Sequence, residues 1–383
     1  MAPFEHYIPV GRQRLRCGYT TGTCAAAAAA GAARRLLTGV WPAAVEVDTP
    51  AGLTVQAELL EGAAGPGWAA CAVRKDGGDD PDVTHGALIF ARVERCAAPG
   101  VTIDGGEGVG RVTRPGLDQP VGAAAINSTP RRMIAAQLER AAAQAGYAGG
   151  LRAVISVPEG ARLAQKTFNP RLGIEGGISI LGTSGIVRPM SEAALIDSVF
   201  LELDMLRAGG ARHVLLTPGN YGQAFARDVL GLGLEHWCIC SNYIGAALDH
   251  AAGLGFESVL LVGHLGKLAK VAAGAMNTHS GTADGRREAL CTHTALCGGD
   301  RSLVRAVYGA ATTDAAVALL DGAGLRRAVM DSLAAALAEQ LSRRAGEGLE
   351  TAAIFFSNQY GILGRTALAG KLAAHHPCKE EST

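Results

Sequence analysis

The chain has 383 residues, 48% hydrophobic and 18% charged, and its 35 Lys and Arg balance 35 Asp and Glu to a formal net charge of +0. That length suits roughly two domains of about 150 residues each with a sizeable core, and the composition excludes intrinsic disorder. A chain without charge excess has no general attraction for a nucleic-acid backbone or an anionic membrane, so an acidic ligand must be met by locally placed Arg and Lys.

No apolar stretch reaches the ~20 residues that a bilayer span needs. Met1-Ala2-Pro3-Phe4-Glu5-His6 lacks the basic and then apolar order of a secretory signal. The nine cysteines are an odd number in a chain with ample core, which favours reduced thiols in the cytoplasm over a disulfide framework. Glycine is abundant at 52 residues and clusters in short loops between apolar runs, as expected of loops that let a ligand approach the backbone.

In chain order, Gly18-Tyr19-Thr20-Thr21-Gly22-Thr23-Cys24 runs into six alanines, Ala25 to Ala30, and then Arg34 and Arg35. A loop feeding a helix is predicted, with Thr21 or Thr23 as the cap that accepts from a first-turn amide. The segment is either a buried, close-packed alanine helix or a loop that presents N–H groups to an anion at a helix N-terminus. From Val45 to Val73 and from Ala87 to Val112, partial alternation predicts short strands. Ile126 to Ala145 reads as a helix, with Pro130 near its start and Gly146 beyond its end. These elements make an N-terminal α+β domain, residues 1–150.

After Gly149-Gly150 the texture changes to short apolar runs alternating with helical segments. The runs are Ala153–Val157, His213–Leu216, Trp237–Cys240, Val259–Val262 and Ala352–Phe356. Such runs are expected of parallel strands buried between helix layers. Helices at about Glu192–Arg207, Gly222–Leu230, Ile244–Ala252 and Leu265–Ala273 supply the crossovers, giving a doubly wound, Rossmann-like α/β domain over 151–374. Residues 375–383 read as a flexible tail.

Four loops follow predicted strands of this second domain: Thr217–Gly222, Ser241–Gly245, Gly263–Lys267 and Ser357–Gly361. In an open α/β sheet that edge binds ligands, although each loop taken alone is also ordinary turn and cap chemistry. Neither standard phosphate fingerprint is present: Leu268 follows Lys267 where Ser or Thr is required, and Arg111 stands where the last glycine of Asp104-Gly105-Gly106-Glu107-Gly108-Val109-Gly110 should follow. That run gathers Asp104, Glu107, Arg111 and Arg114, either as an acid/base and carboxylate-clamping loop or as a solvated glycine hairpin. Lys166, Arg171 and Arg188 lie among glycines and hydroxyls over Lys166–Gly177 and Gly182–Pro189, a density that suits a polycarboxylate. Cys291–Cys297 and His236–Cys240 hold metal-ligand types but no paired CxxC or HExxH spacing, so no metal site is assigned. Cys24 is a nucleophile candidate without an identifiable histidine partner.

Together these segments resemble one family, the cobalt-precorrin-5B C(1)-methyltransferases of the CbiD type, from the anaerobic route to cobalamin. The resemblance rests on Arg16–Ala26, Asp104–Gly110, Lys166–Ile174, Gly182–Met190, Gly219–Gly222 and Val262–Lys267. It implies methyl transfer from S-adenosyl-L-methionine to ring carbon C1 of cobalt-precorrin-5B, with cobalt present only as part of the tetrapyrrole substrate. It also implies a departure from the fold of the other corrin-ring methyltransferases, in agreement with the missing fingerprints. Displacement at a sulfonium methyl can draw most of its rate from positioning and desolvation. A base is still wanted for a macrocycle proton, for which Asp104, Glu107 and His264 are the candidates.

On this reading the cofactor meets Gly219, Asn220, Tyr221, Gly222, Ser241, Asn242 and Gly263. The tetrapyrrole carboxylates meet Arg111, Lys166, Arg171, Arg188 and Lys267, together with the hydroxyl-bearing loops at Thr20, Thr21, Thr23, Thr183 and Ser184. The rivals are a non-enzymatic carrier of a cobalt-corrinoid intermediate and a hydrolase acting on the same macrocycle. Neither nucleic acid nor membrane is an expected partner, and whether the protein forms a homo-oligomer is not written in the sequence.

Overall fold

The computed structural model describes residues 4–378, which divide into two units, Met1–Glu192 and Ala193–Thr383. In the first, the alanine run forms helix α1 (Thr21–Thr38), buried continuously from Thr21 to Ala33. Alanine has no side chain beyond Cβ to hold neighbours away, and a Cβ on Gly31 would stand 2.4 Å from the Leu59 side chain. The close-packed reading is therefore the one realised. The cap is Thr20, not Thr21 or Thr23: its hydroxyl accepts from the Thr23 N–H at 3.2 Å. The amides of Gly22 and Cys24 are taken by the carbonyls of Leu181 and Thr20, so this N-terminus offers an anion little.

The first unit's main sheet comprises β1 (Leu60–Gly65), β2 (Trp68–Arg74), β3 (Leu88–Cys96), β4 (Val101–Gly105) and, after helix α2 (Ser128–Gln144), β5 (Gly150–Ser156). Their order is β1-β2-β3-β5-β4, with β5 antiparallel to β3 and parallel to β4. The run Ala153–Val157, expected as a strand of the second domain, thus completes the first sheet, and the boundary expected near Gly149-Gly150 lies at Glu192. One face buries Cys71, Ile89, Val93, Leu151 and Ile155 with Ile134, Leu138 and the alanines of α1 and α2. The other face carries polar pairs such as Arg152 with Glu94 at 3.2 Å.

The second unit opens with α3 (Glu192–Ala208) and continues through β6 (His213–Thr217), α4 (Asn220–Asp228), β7 (Trp237–Ile239), α5 (Ile244–Gly253), β8 (Ser258–His264) and α6 (Leu265–Ala272). Helices α7 (Arg286–Leu296), α8 (Arg301–Gly309), α9 (Thr313–Gly322) and α10 (Arg326–Ala345), which the sequence reading left unassigned, precede β9 (Glu350–Ser357), β10 (Gly361–Arg365) and α11 (Ala369–Ala373). The sheet order is β7-β6-β8-β9-β10, parallel except for β10. Leu216, Leu261 and Phe355 pack on one side with Leu203, Leu248, Leu268 and Leu337. Leu215, Leu260 and Phe356 pack on the other with Phe225 and Leu372. Burial on both faces explains the unbroken apolar runs, each such side chain contributing about 1.5–3 kcal/mol.

From β6 the chain leaves to one side through α4 into β7, then returns through α5 to β8 on the other side of β6. The connections therefore diverge between β6 and β8, the place where an open parallel sheet leaves a crevice.

His375, His376 and Pro377, expected to belong to a flexible tail, are packed against the rest of the second unit. The His375 ring stacks on His213 with centroids 3.8 Å apart, His376 is 3% exposed, and Pro377 bridges Leu232. Residues 379–383, the rest of that expected tail, lie outside the described residues.

Candidate functional site

A cavity of about 660 Å³ opens at the β6/β8 crevice, lined by residues from all four loops that follow β6, β7, β8 and β9. Backbone requirements shape it. Gly219 has φ +152° and ψ 179°, a region that glycine adopts and other residues avoid, with open space where a Cβ would point. Gly222, in the first turn of α4, seats the helix on β8: a Cβ there would lie 2.6 Å from the Val262 carbonyl. Ser241 holds φ +52° in the turn after β7, and its carbonyl, with that of Pro218, accepts from Lys267 Nζ. Lys267 thereby ties the β6 and β7 loops together.

His264 caps α6, its Nδ1 accepting from the Gly266 N–H at 3.1 Å. Burial pushes its pKa down and keeps the ring neutral. With Nδ1 accepting, the neutral ring carries its proton on Nε2 and can donate, which withdraws His264 from the role of proton acceptor. Burial also lowers the pKa of Lys267. Lys270, on the same helix, donates from Nζ to the carbonyls of Thr278 and Ala283, each at 3.1 Å. Asn242 accepts from the Thr278 hydroxyl at 3.1 Å, holding the 278–286 stretch at the rim. Arg286 grips Asp284 with two bonds of 2.6 Å. Tyr221 is 74% exposed at the mouth.

Of the expected cofactor residues, Gly219, Tyr221, Gly222, Asn242 and Gly263 line this cavity, as do His264 and Lys267. Asn220 begins α4 and Ser241 carries the turn, both beside the lining. Lys267, expected among the substrate residues, stands with the cofactor set. Lys270, Thr278, His279, Ser280 and Arg286 also line the cavity and were missed. The i,i+3 spacing of Lys267 and Lys270 was the readable signal; the segment before Arg286 follows no period.

In the first unit the sequence segments do meet, but largely as architecture. Thr20 N and Thr23 Oγ1 both donate to the Gly185 carbonyl, at 3.0 and 2.7 Å. Thr21 Oγ1 accepts from Leu181 N at 2.9 Å, and Ser184 Oγ bridges the Ile186 backbone. Thr20, Thr21 and Thr23 are all buried, so these hydroxyls join the 18–24 and 181–188 segments instead of facing a substrate. The Asp104–Arg111 run is not a solvated hairpin, since Gly105, Gly108, Val109 and Gly110 are buried. A Cβ on Gly108 would lie 1.8 Å from the Val157 carbonyl, and those on Gly160 and Gly177 would lie 1.9 and 2.1 Å from the Gly108 carbonyl.

On this glycine knot Asp104 pairs with Arg111 at 2.8 Å. Burial alone would raise its pKa, but the Arg111 bond and charge and the Gly105 N–H hold it below the usual range, which makes it a poor proton acceptor. Glu107, Lys166, Thr183 and Arg188 are exposed, and Arg171 lies over the Phe168 ring. Arg131, absent from the sequence reading, ties the carbonyls of Ile126, Ile103 and Ala124 together. Cys24 is fully buried and its thiol is pushed up to about 12 by desolvation, which removes it as a nucleophile. Among the described residues no three His, Cys, Asp or Glu side chains converge as metal ligands, and no helix is long and apolar enough to cross a membrane.

The family model described as CbiD matches residues 9–189, and that for the CbiD C-terminal domain matches residues 277–367. A cobalt-precorrin-5B C(1)-methyltransferase of Ruminiclostridium cellulolyticum is 44% identical over 354 residues, 92% of each chain. Another so named, from Thermoanaerobacter, is 48% identical over 84% of this chain and 87% of its own. A crystal structure of the cobalamin biosynthesis protein CbiD from Archaeoglobus fulgidus is 31% identical, with a TM-score of 0.39 over 74% of this chain and 87% of that one. With identity of this level along nearly the whole length of its relatives, the chain belongs to the CbiD family.

Proposed function

We propose that this protein transfers the methyl group of S-adenosyl-L-methionine to ring carbon C1 of cobalt-precorrin-5B, giving cobalt-precorrin-6A and S-adenosylhomocysteine in cytoplasmic cobalamin biosynthesis. The observation that carries this reading is the 44% identity, spanning 92% of both chains, to a relative bearing that name. The cavity supports it. We read the second unit as a Rossmann-like, doubly wound sheet, and its crevice between β6 and β8 has the volume for a nucleoside with an amino-acid arm.

The glycines at 219 and 222 let the backbone approach a ligand, Asn242 and the His264 Nε2–H offer polar contacts, and Tyr221 presents a ring for stacking. When bound, the cofactor supplies an electrophilic methyl group. The chain's part is to orient it, exclude water and hold the macrocycle. Arg111, Lys166, Arg171 and Arg188, on the frame braced by the glycine knot, are the groups we assign to the acetate and propionate arms. With Asp104 engaged by Arg111 and His264 by Gly266, Glu107 is the remaining expected proton acceptor. A hydrolase reading loses its cysteine, since Cys24 is buried as a thiol.

The test is anaerobic incubation with cobalt-precorrin-5B and cofactor labelled at the methyl carbon, read by mass spectrometry and carbon NMR. Label at C1 that requires folded protein supports the reading. Macrocycle retained without label would overturn it in favour of a carrier.

A further inference from the structure

The cavity's charge is one-sided. Lys267, Lys270 and Arg286 line it, and among the described residues no Asp or Glu does. Asp284, outside the lining, offsets one charge: it is gripped by Arg286 and stands 3.7 Å from Lys270 Nζ. The two lysines are held differently, by neutral carbonyls: Pro218 and Ser241 for Lys267, Thr278 and Ala283 for Lys270. A carbonyl fixes the direction of an ammonium without cancelling its charge, and an ammonium has three N–H donors, so two carbonyls leave a third on each. Lys270 keeps this arrangement with its side chain only 5% exposed, and its carboxylate neighbour Asp284 is shared with Arg286, so one negative charge offsets three cations in a setting where buried charge is costly. Being three residues apart on α6, the two ammonium groups share one helix face.

We infer that Lys267 and Lys270 form a carboxylate-binding subsite in this cavity, one N–H from each lysine meeting the two oxygens of a ligand carboxylate. The identity of the ligand rests on the methyl-transfer reading. Its carboxylate belongs either to the aminoacyl end of the cofactor or to an acetate or propionate arm of the macrocycle.

Calorimetric titration of the full chain and of its Lys267→Met and Lys270→Met variants separates these sources. The probes are S-adenosylhomocysteine, its decarboxylated analogue, a corrin polycarboxylate and the corresponding corrin amide. Loss of one charge-assisted bond weakens binding about tenfold or more. A loss of that size for S-adenosylhomocysteine, with the decarboxylated analogue changed by less than about twofold, assigns the carboxylate to the cofactor. The same loss confined to the corrin polycarboxylate assigns it to the macrocycle. Equal weakening of acids and their carboxylate-free counterparts, no change in either, or no binding of any probe overturns the subsite. If Lys270→Met does not fold, Lys267→Met and the unmodified protein's own preference for acid over carboxylate-free probe decide. Methyl transfer by the unmodified protein tests the parent reading separately.

Discussion

Glycine-rich and hydroxyl-rich loops occur in both units and do opposite work in them. Around Gly108 the backbone is met by other backbone: the carbonyls of Val157 and Gly108 occupy the places where side chains would begin, and the nearby threonine hydroxyls cap and cross-link. Around Gly219 the same kind of loop faces open space, and its polar neighbours line a cavity. A glycine loop therefore signals close approach in general; what approaches, chain or ligand, is decided by the fold.

That contrast gives the largest expected effect. Gly108→Ala should destabilise by about 4 kcal/mol or prevent folding, since φ is +69° and the contact is 1.8 Å to a carbonyl. Gly219→Ala should cost only about 1–3 kcal/mol of strain and express its effect as weaker binding of S-adenosylhomocysteine. Chemical denaturation and titration of both variants would break the comparison if the two costs came out equal.

Next is pH. Desolvation, with the neighbouring charges of His236, His213 and His375, lowers the pKa of His376 from 6.5 to about 4. As pH falls through that window the unfolded chain takes up a proton that the native one refuses. Stability contributed above pH 6.5 is thus lost progressively down to about pH 4, to an extent of roughly 3 kcal/mol. His376→Leu should flatten that slope in thermal melts recorded between pH 6.5 and 4.5; an unchanged slope would remove His376 as its source.

Thr20→Ala, which deletes the α1 cap, should cost about 1 kcal/mol and leave ligand affinity in the second unit unchanged. The smallest stability effect is expected of Tyr221→Ala, within about 0.5 kcal/mol for a ring 74% exposed, while cofactor affinity falls. If Thr20→Ala moved binding and Tyr221→Ala did not, the division between architectural and ligand loops would be reversed.

The sequence carried most of the second unit, because strands buried on both faces leave apolar runs with loops at their ends. It misplaced the boundary because Ala153–Val157 resembles such a run. In the fold Leu151, Ala153 and Ile155 of β5 are buried with the helices, whereas Val154 and Ser156, on its other face, are half-buried and Arg152 is exposed. At the site, the four loops were legible. Lys270 was legible only through its i,i+3 spacing from Lys267 in the predicted helix; that its ammonium is held by the carbonyls of Thr278 and Ala283 is encoded by no local pattern. Nor could the sequence tell that the Nδ1 of His264 is occupied, since that follows from its position as the residue capping α6.

The placement of β9 in the second sheet bears on how the protein is made. The first unit's sheet has all its strands once residue 156 has been synthesised, whereas β8 waits for its neighbour until residues 350–357 are made. During synthesis the first unit can settle while the second still exposes one side of β8, as N-terminal domains generally fold first. The cavity, which draws on Asn358 in the loop after β9, can take shape only once residues 350–358 have been made.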